Sequence, residues 1–72
     1  MSGWIAIDTE SWNLAHMRKV WLTRDKKTSV LAVNVLWLGS DTAEAIITDN
    51  VKAGQFQEQF RAWSGRSLSV AV

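Results

Sequence analysis

The sequence predicts a single α+β domain over residues 1–72: an antiparallel sheet of four to five strands, arranged as a meander, with one C-terminal amphipathic helix packed on one face. Three observations predict it. Short β-branched and aromatic runs alternate with polar turn clusters as far as Thr48. The apolar spacing then lengthens to three or four, at Ala53, Phe56, Phe60 and Trp63. Proline is absent and glycine occurs only at 3, 39, 54 and 65, so no linker, repeat or low-complexity stretch divides the chain.

The elements follow in order. Trp4 to Ile7 is a short apolar run and reads as the first strand, and Asp8 to Ser11 reads as a turn. From 17 to 24 a period of two places Met17, Lys19, Trp21 and Thr23 on one face and Arg18, Val20, Leu22 and Arg24 on the other, which suits a strand. Asp25-Lys26-Lys27-Thr28 separates it from a third strand, Ser29 to Leu38, so the two form a hairpin. Gly39-Ser40-Asp41 supplies a second turn into Thr42 to Thr48. Asp49 or Asn50 can cap the helix, and Gly65 stands where a left-handed C-terminal cap is wanted. Gly54 weakens its first turn by about 1 kcal/mol relative to Ala. The tail alternates again, with Leu68, Val70 and Val72 on one side, and reads as a fifth strand.

Size makes this fold marginal. An 8.1 kDa chain buries roughly 7,200 Å² on folding by size scaling. If about 60% of that is apolar, burial contributes on the order of 110 kcal/mol, against about 1.5 kcal/mol of ordering entropy per residue, which also sums to on the order of 110. Small chains so balanced recruit disulfides, a metal or a partner. There is no Cys and one His, so a disulfide is excluded and structural zinc has almost nothing to bind. Partner burial is left.

The third strand carries the same message. In SVLAVNVLWL only Asn34 among ten positions bears a charge or an amide, so both faces are apolar. Leu31, Val33, Val35 and Trp37 can take the helix stripe of Phe56, Phe60 and Trp63, with Trp37 and Trp63 in the core. One helix covers one face. Val30, Ala32, Leu36 and Leu38 are then left for a closed barrel or a second copy of the chain to cover, and the tail residues Leu68 and Val70 are expected to join that interface by pairing with a neighbour's sheet edge.

Charge and motifs narrow the chemistry. Net charge is +1, which gives no global field for polyanions. Cations nevertheless cluster at Arg18, Lys19, Arg24, Lys26 and Lys27 around Trp21, an arrangement that could stack a base on the indole and hold phosphate. His16 is the one side chain titrating near neutrality, with no orienting acid or nucleophile declared nearby, and reads as a strand-start residue. Asp8 and Glu10 are two carboxylates too few for a cation cage and read as solvated turn charges. No phosphate loop, nucleophile motif or carboxylate pair at ligand spacing is present, so no enzyme and no cofactor is expected. The opening MSGWIAIDTE lacks a signal peptide's basic region and no apolar run approaches the roughly 20 residues of a membrane span, so no membrane association is expected. A thiol-free chain fits the cytoplasm.

Trp4-Ile5-Ala6-Ile7, then Trp12-Asn13-Leu14-Ala15-His16-Met17, then a basic hairpin, a long strand and a terminal helix, resembles small bacterial and phage proteins of the FlbD-like flagellar-regulator group. The resemblance covers Trp4 to Trp63 as topology. The glycine-bearing turn common between the first two strands of such proteins is replaced here by Thr9-Glu10-Ser11, and no functional residue is carried over.

Two functions are therefore expected to compete. The first is a non-enzymatic homo-oligomeric interaction protein, of the kind frequent in phage and mobile-element genomes, acting as an inhibitor or regulator by binding another protein. The second is a small oligomer that captures a nucleotide or single-stranded nucleic acid through Arg18, Lys19, Trp21, Arg24, Lys26 and Lys27.

Overall fold

The computed structural model describes residues 3–71; Val72, expected on the tail strand, lies outside the described residues. The chain forms β1 (Trp4–Ile7), β2 (Glu10–Asn13), a 3-10 turn at Leu14–His16, β3 (Met17–Arg24), β4 (Leu31–Trp37), β5 (Glu44–Thr48), α1 (Asn50–Ser64) and β6 (Val70–Ala71). Strands β1 and β2 make a two-stranded antiparallel sheet, and a four-stranded sheet has the order β5-β4-β3-β6. The fold is α+β with one C-terminal helix.

The β3-β4-β5 meander is antiparallel as expected, but β6 runs parallel to β3, so the sheet is mixed. The cause is α1. One helix returns the chain across the sheet, so the strand after it takes the direction of β5, which is also that of β3. The tail therefore pairs inside its own chain, Leu22 with Val70 and Thr23 with Ala71, and the Leu22 N–H donates to the Ser69 carbonyl at 2.9 Å.

Strand β2 is a second difference. The expected turn at Asp8 to Ser11 shrinks to Asp8-Thr9, with Asp8 in the left-handed region at φ 53°, and Glu10–Asn13 pairs with β1. Its sequence, ESWN, gives no apolar alternation because only Trp12 turns inward, packing edge-on against Phe56 with ring centroids 6.0 Å apart.

The core joins Ile5, Ile7, Leu14, Leu22, Val33, Val35, Ile47, Ala53, Phe56 and Leu68. It lies on one side of the four-stranded sheet, beneath α1 and the β1-β2 hairpin together. The helix stripe leaves this core gradually: Ala53 and Phe56 are buried, Phe60 is half-buried, and Trp63, expected inside, is 42% exposed against Phe60 alone. Trp63 sits one turn beyond Phe60, past the cluster centred on Phe56.

Both helix ends are capped as the sequence suggests. The Asp49 carboxylate accepts from the Lys52 N–H at 2.9 Å, and Gly65, at φ 74°, donates its N–H to the Arg61 carbonyl at 2.7 Å. Asn50 instead accepts from the Leu31 N–H at 2.7 Å, tying the helix start to the start of β4. Among the described residues no helix is long and apolar enough to cross a membrane.

Candidate functional site: the open face of the four-stranded sheet

Strand alternation sorts the meander into two faces. Val20, Leu22, Leu31, Val33, Val35 and Ile47 turn toward α1. The opposite face carries Lys19, Trp21 and Thr23 from β3, Ala32, Asn34 and Leu36 from β4, and Ala45 and Thr48 from β5. Registers align Lys19 with Leu36, Trp21 with Asn34 and Ala45, and Thr23 with Ala32 and Thr48. A bulge opposite Val33 and Asn34 lets both Ile46 and Ile47 pack on the core, so β5 adds only small side chains to the open face.

Those small side chains leave a depression. A cleft of about 470 Å³ opens at the β3-β4 hairpin end, with Ala32, Asn34, Ala45 and Thr48 in its lining together with Thr23 and Val30. Asn34 donates from Nδ2 to the Thr23 hydroxyl at 2.8 Å, which fixes the amide at the inner end of the cleft. The hairpin beside it is rigidly built. One Asp25 carboxylate oxygen accepts from the Lys27 and Thr28 N–H groups at 2.7 and 3.1 Å, and Arg24 Nη1 donates to the Ser29 carbonyl at 2.8 Å. The N–H groups of Thr28 and then Lys27 hold the Asp25 carboxyl below its ordinary 3.8.

The expected interface residues separate. Val30, Ala32 and Leu36 are half-buried on or beside the open face, and Leu38 is 59% exposed just past the end of β4. Leu68 is not at an interface but in the chain's own core at 9% exposure, because the tail docks on its own sheet. Val70, 46% exposed, shares the side of its register partner Leu22 and so lies away from the open face.

The basic residues separate too. Arg18 occupies a bulge between Met17 and Lys19 at one end of β3, and Lys19 Nζ stands 5.8 Å from the centre of the Trp21 ring. Arg24, Lys26 and Lys27 lie at the other end. At about 3.3 Å per residue the ends are roughly 20 Å apart, twice the screening length of about 10 Å at 0.1 M salt. The cations contiguous in sequence are two fields, not one.

His16 is exposed in the 3-10 turn before β3, at the end remote from the cleft. Asp8 makes an exposed ion pair with Lys52 at 3.4 Å, and among the described residues no group of three His, Asp or Glu could hold a metal. Sequence reasoning missed Thr23, Ala45 and Thr48 as lining residues. Asn34, the lone amide in an apolar strand, was the available signal.

No family model matches the chain, and neither a curated protein nor a solved structure is found similar to it, so the FlbD-like resemblance contributes nothing to the functional argument.

Proposed function

We propose that the chain is a non-catalytic interaction protein of the reducing cytoplasm that assembles with itself through the open face of its four-stranded sheet. The carrying observation is one-sided coverage: α1 and the β1-β2 hairpin share the same side, and Trp21, Val30, Ala32 and Leu36 on or beside the other are left half-buried. Surface area supports the reading. The accessible surface is 4912 Å², against roughly 4,500 Å² for compact monomers of this mass.

Capture of a nucleotide or single-stranded nucleic acid is the weaker reading. Its six residues are split between two ends of β3, and Lys19 already occupies the neighbourhood of the Trp21 ring.

Light scattering coupled to gel filtration tests the proposal. A mass above 8.1 kDa that rises with loading is expected, and Leu36→Lys lowers it. An unchanging monomer up to about millimolar concentration, where even contacts of about −4 kcal/mol would register, overturns it.

A further inference from the structure

The open face has a shape that fits itself, and this inference rests on the self-assembly just proposed. Bulk stands toward the β4-β5 turn end, in Leu36 and its neighbour Lys19, whereas the cleft among Thr23, Ala32, Ala45 and Thr48 lies at the hairpin end. Asn34 sits midway, two residues from Leu36 and two from Ala32.

We propose that the partner is a second copy related by a two-fold axis that crosses β4 at Asn34, at right angles to the strands. That axis exchanges the two ends, so Leu36 of each copy enters the other's cleft above the partner's Ala32. An isologous contact of this kind closes the assembly as a dimer.

Asn34 is the register device. Its amide has two N–H donors and one carbonyl; one donor is engaged by Thr23, and its Oδ1 accepts no hydrogen bond among the described residues. On the axis, each remaining N–H meets the Oδ1 of the partner's Asn34. A lone polar pair in an apolar interface fixes register because any slip buries it unsatisfied.

The footprint sets the strength. Four strands at about 4.8 Å and seven residues at about 3.3 Å give a planar patch of roughly 19 by 23 Å per copy. The pair then covers on the order of 900 Å², at the low end for a specific interface, so the dimer dissociates. Cations stand at both ends of the face, Arg18 and Lys19 at one and Arg24, Lys26 and Lys27 at the other, with Asp25 the nearest acid in the hairpin. Superposing opposite ends brings like charges together, so salt tightens the dimer.

The absence of cysteine permits a direct test. Single variants Lys19→Cys, Ala32→Cys and Ala45→Cys leave Leu36 and Asn34 intact and are treated with a bis-thiol reagent spanning the gap of about 10 Å between stacked sheets. A mixture of Lys19→Cys and Ala32→Cys is expected to cross-link several-fold more than either variant alone, and Ala45→Cys, near the axis, to cross-link with itself. A dimer by light scattering in which Ala32→Cys links to itself best overturns the axis and leaves self-assembly standing. A wild-type monomer at every concentration overturns both, and a dimer loosened several-fold by added salt overturns the end-to-end superposition.

Discussion

The Gln59 side chain completes the free edge of β1 by gripping one residue, Ala6: its Oε1 accepts from the Ala6 N–H at 3.1 Å and its Nε2 donates to the Ala6 carbonyl at 2.9 Å. An amide on the helix thus supplies both hydrogen bonds of a missing strand and locks the hairpin to α1. Gln59→Ala removes two bonds worth about 0.5–1.5 kcal/mol each. A drop in melting temperature of roughly 4–8 °C per kcal/mol is expected for a domain of this size, and Gln59→Glu, which keeps only the acceptor, is expected to fall between the two in a thermal scan.

The helix stripe gives a contrast between two aromatics. Phe56 is fully buried and touches the rings of both Trp12 and Phe60. Phe56→Ala is expected to cost about 3–5 kcal/mol, enough to unfold much of a marginal chain, whereas Trp63→Ala at the exposed end costs less than about 1.5 kcal/mol. Urea midpoints measured on both variants check the order.

Two glycines in and after α1 are expected to respond in opposite directions to the same substitution. A Cβ on Gly54 meets nothing within 4 Å and its backbone is helical, so Gly54→Ala stabilises by about 0.5–1 kcal/mol. Gly65 holds φ at 74°, so Gly65→Ala costs about 1–2 kcal/mol despite equally open space. Circular dichroism during urea titration reads both changes.

Acid should loosen the β3-β4 hairpin. The Asp25 carboxyl is depressed by N–H donors of Thr28 and Lys27, so its contribution to stability is complete above the unfolded value near 3.8 and is lost as pH falls below it. The urea midpoint of the wild type is expected to decline more steeply below that pH than that of Asp25→Asn. Parallel curves would contradict the assignment.

Much of this fold was legible in the residues. The meander could be read because β3 and β4 alternate cleanly and Asp25, Gly39 and Gly65 mark their turns, and the helix because Ala53, Phe56 and Phe60 keep its period. Strand β2 was not, since a strand with a single inward side chain has no periodic signal. The parallel pairing of β6 was not either, because SLSVAV states that a strand forms but not which edge receives it. At the site, Val30, Ala32 and Leu36 could be placed from alternation alone. The cleft could not, because it arises from smallness at Ala32, Ala45 and Thr48, residues distant in sequence that only the strand registers bring side by side.

The junction of β6 with β3 has a kinetic consequence. Its partners, Leu22 and Val70, are among the most remote in sequence to meet in this sheet, and closing so long a loop is slow compared with zipping the neighbouring hairpins. The meander is therefore expected to assemble first and the tail to dock last, held by Leu68 and a two-residue ladder. In amide hydrogen exchange the Leu22 N–H, bonded to Ser69, should open before the amides shared between β3 and β4. Each such opening bares a strand edge to neighbouring molecules, which makes this margin of the sheet the place where crowding would first seed disordered aggregates.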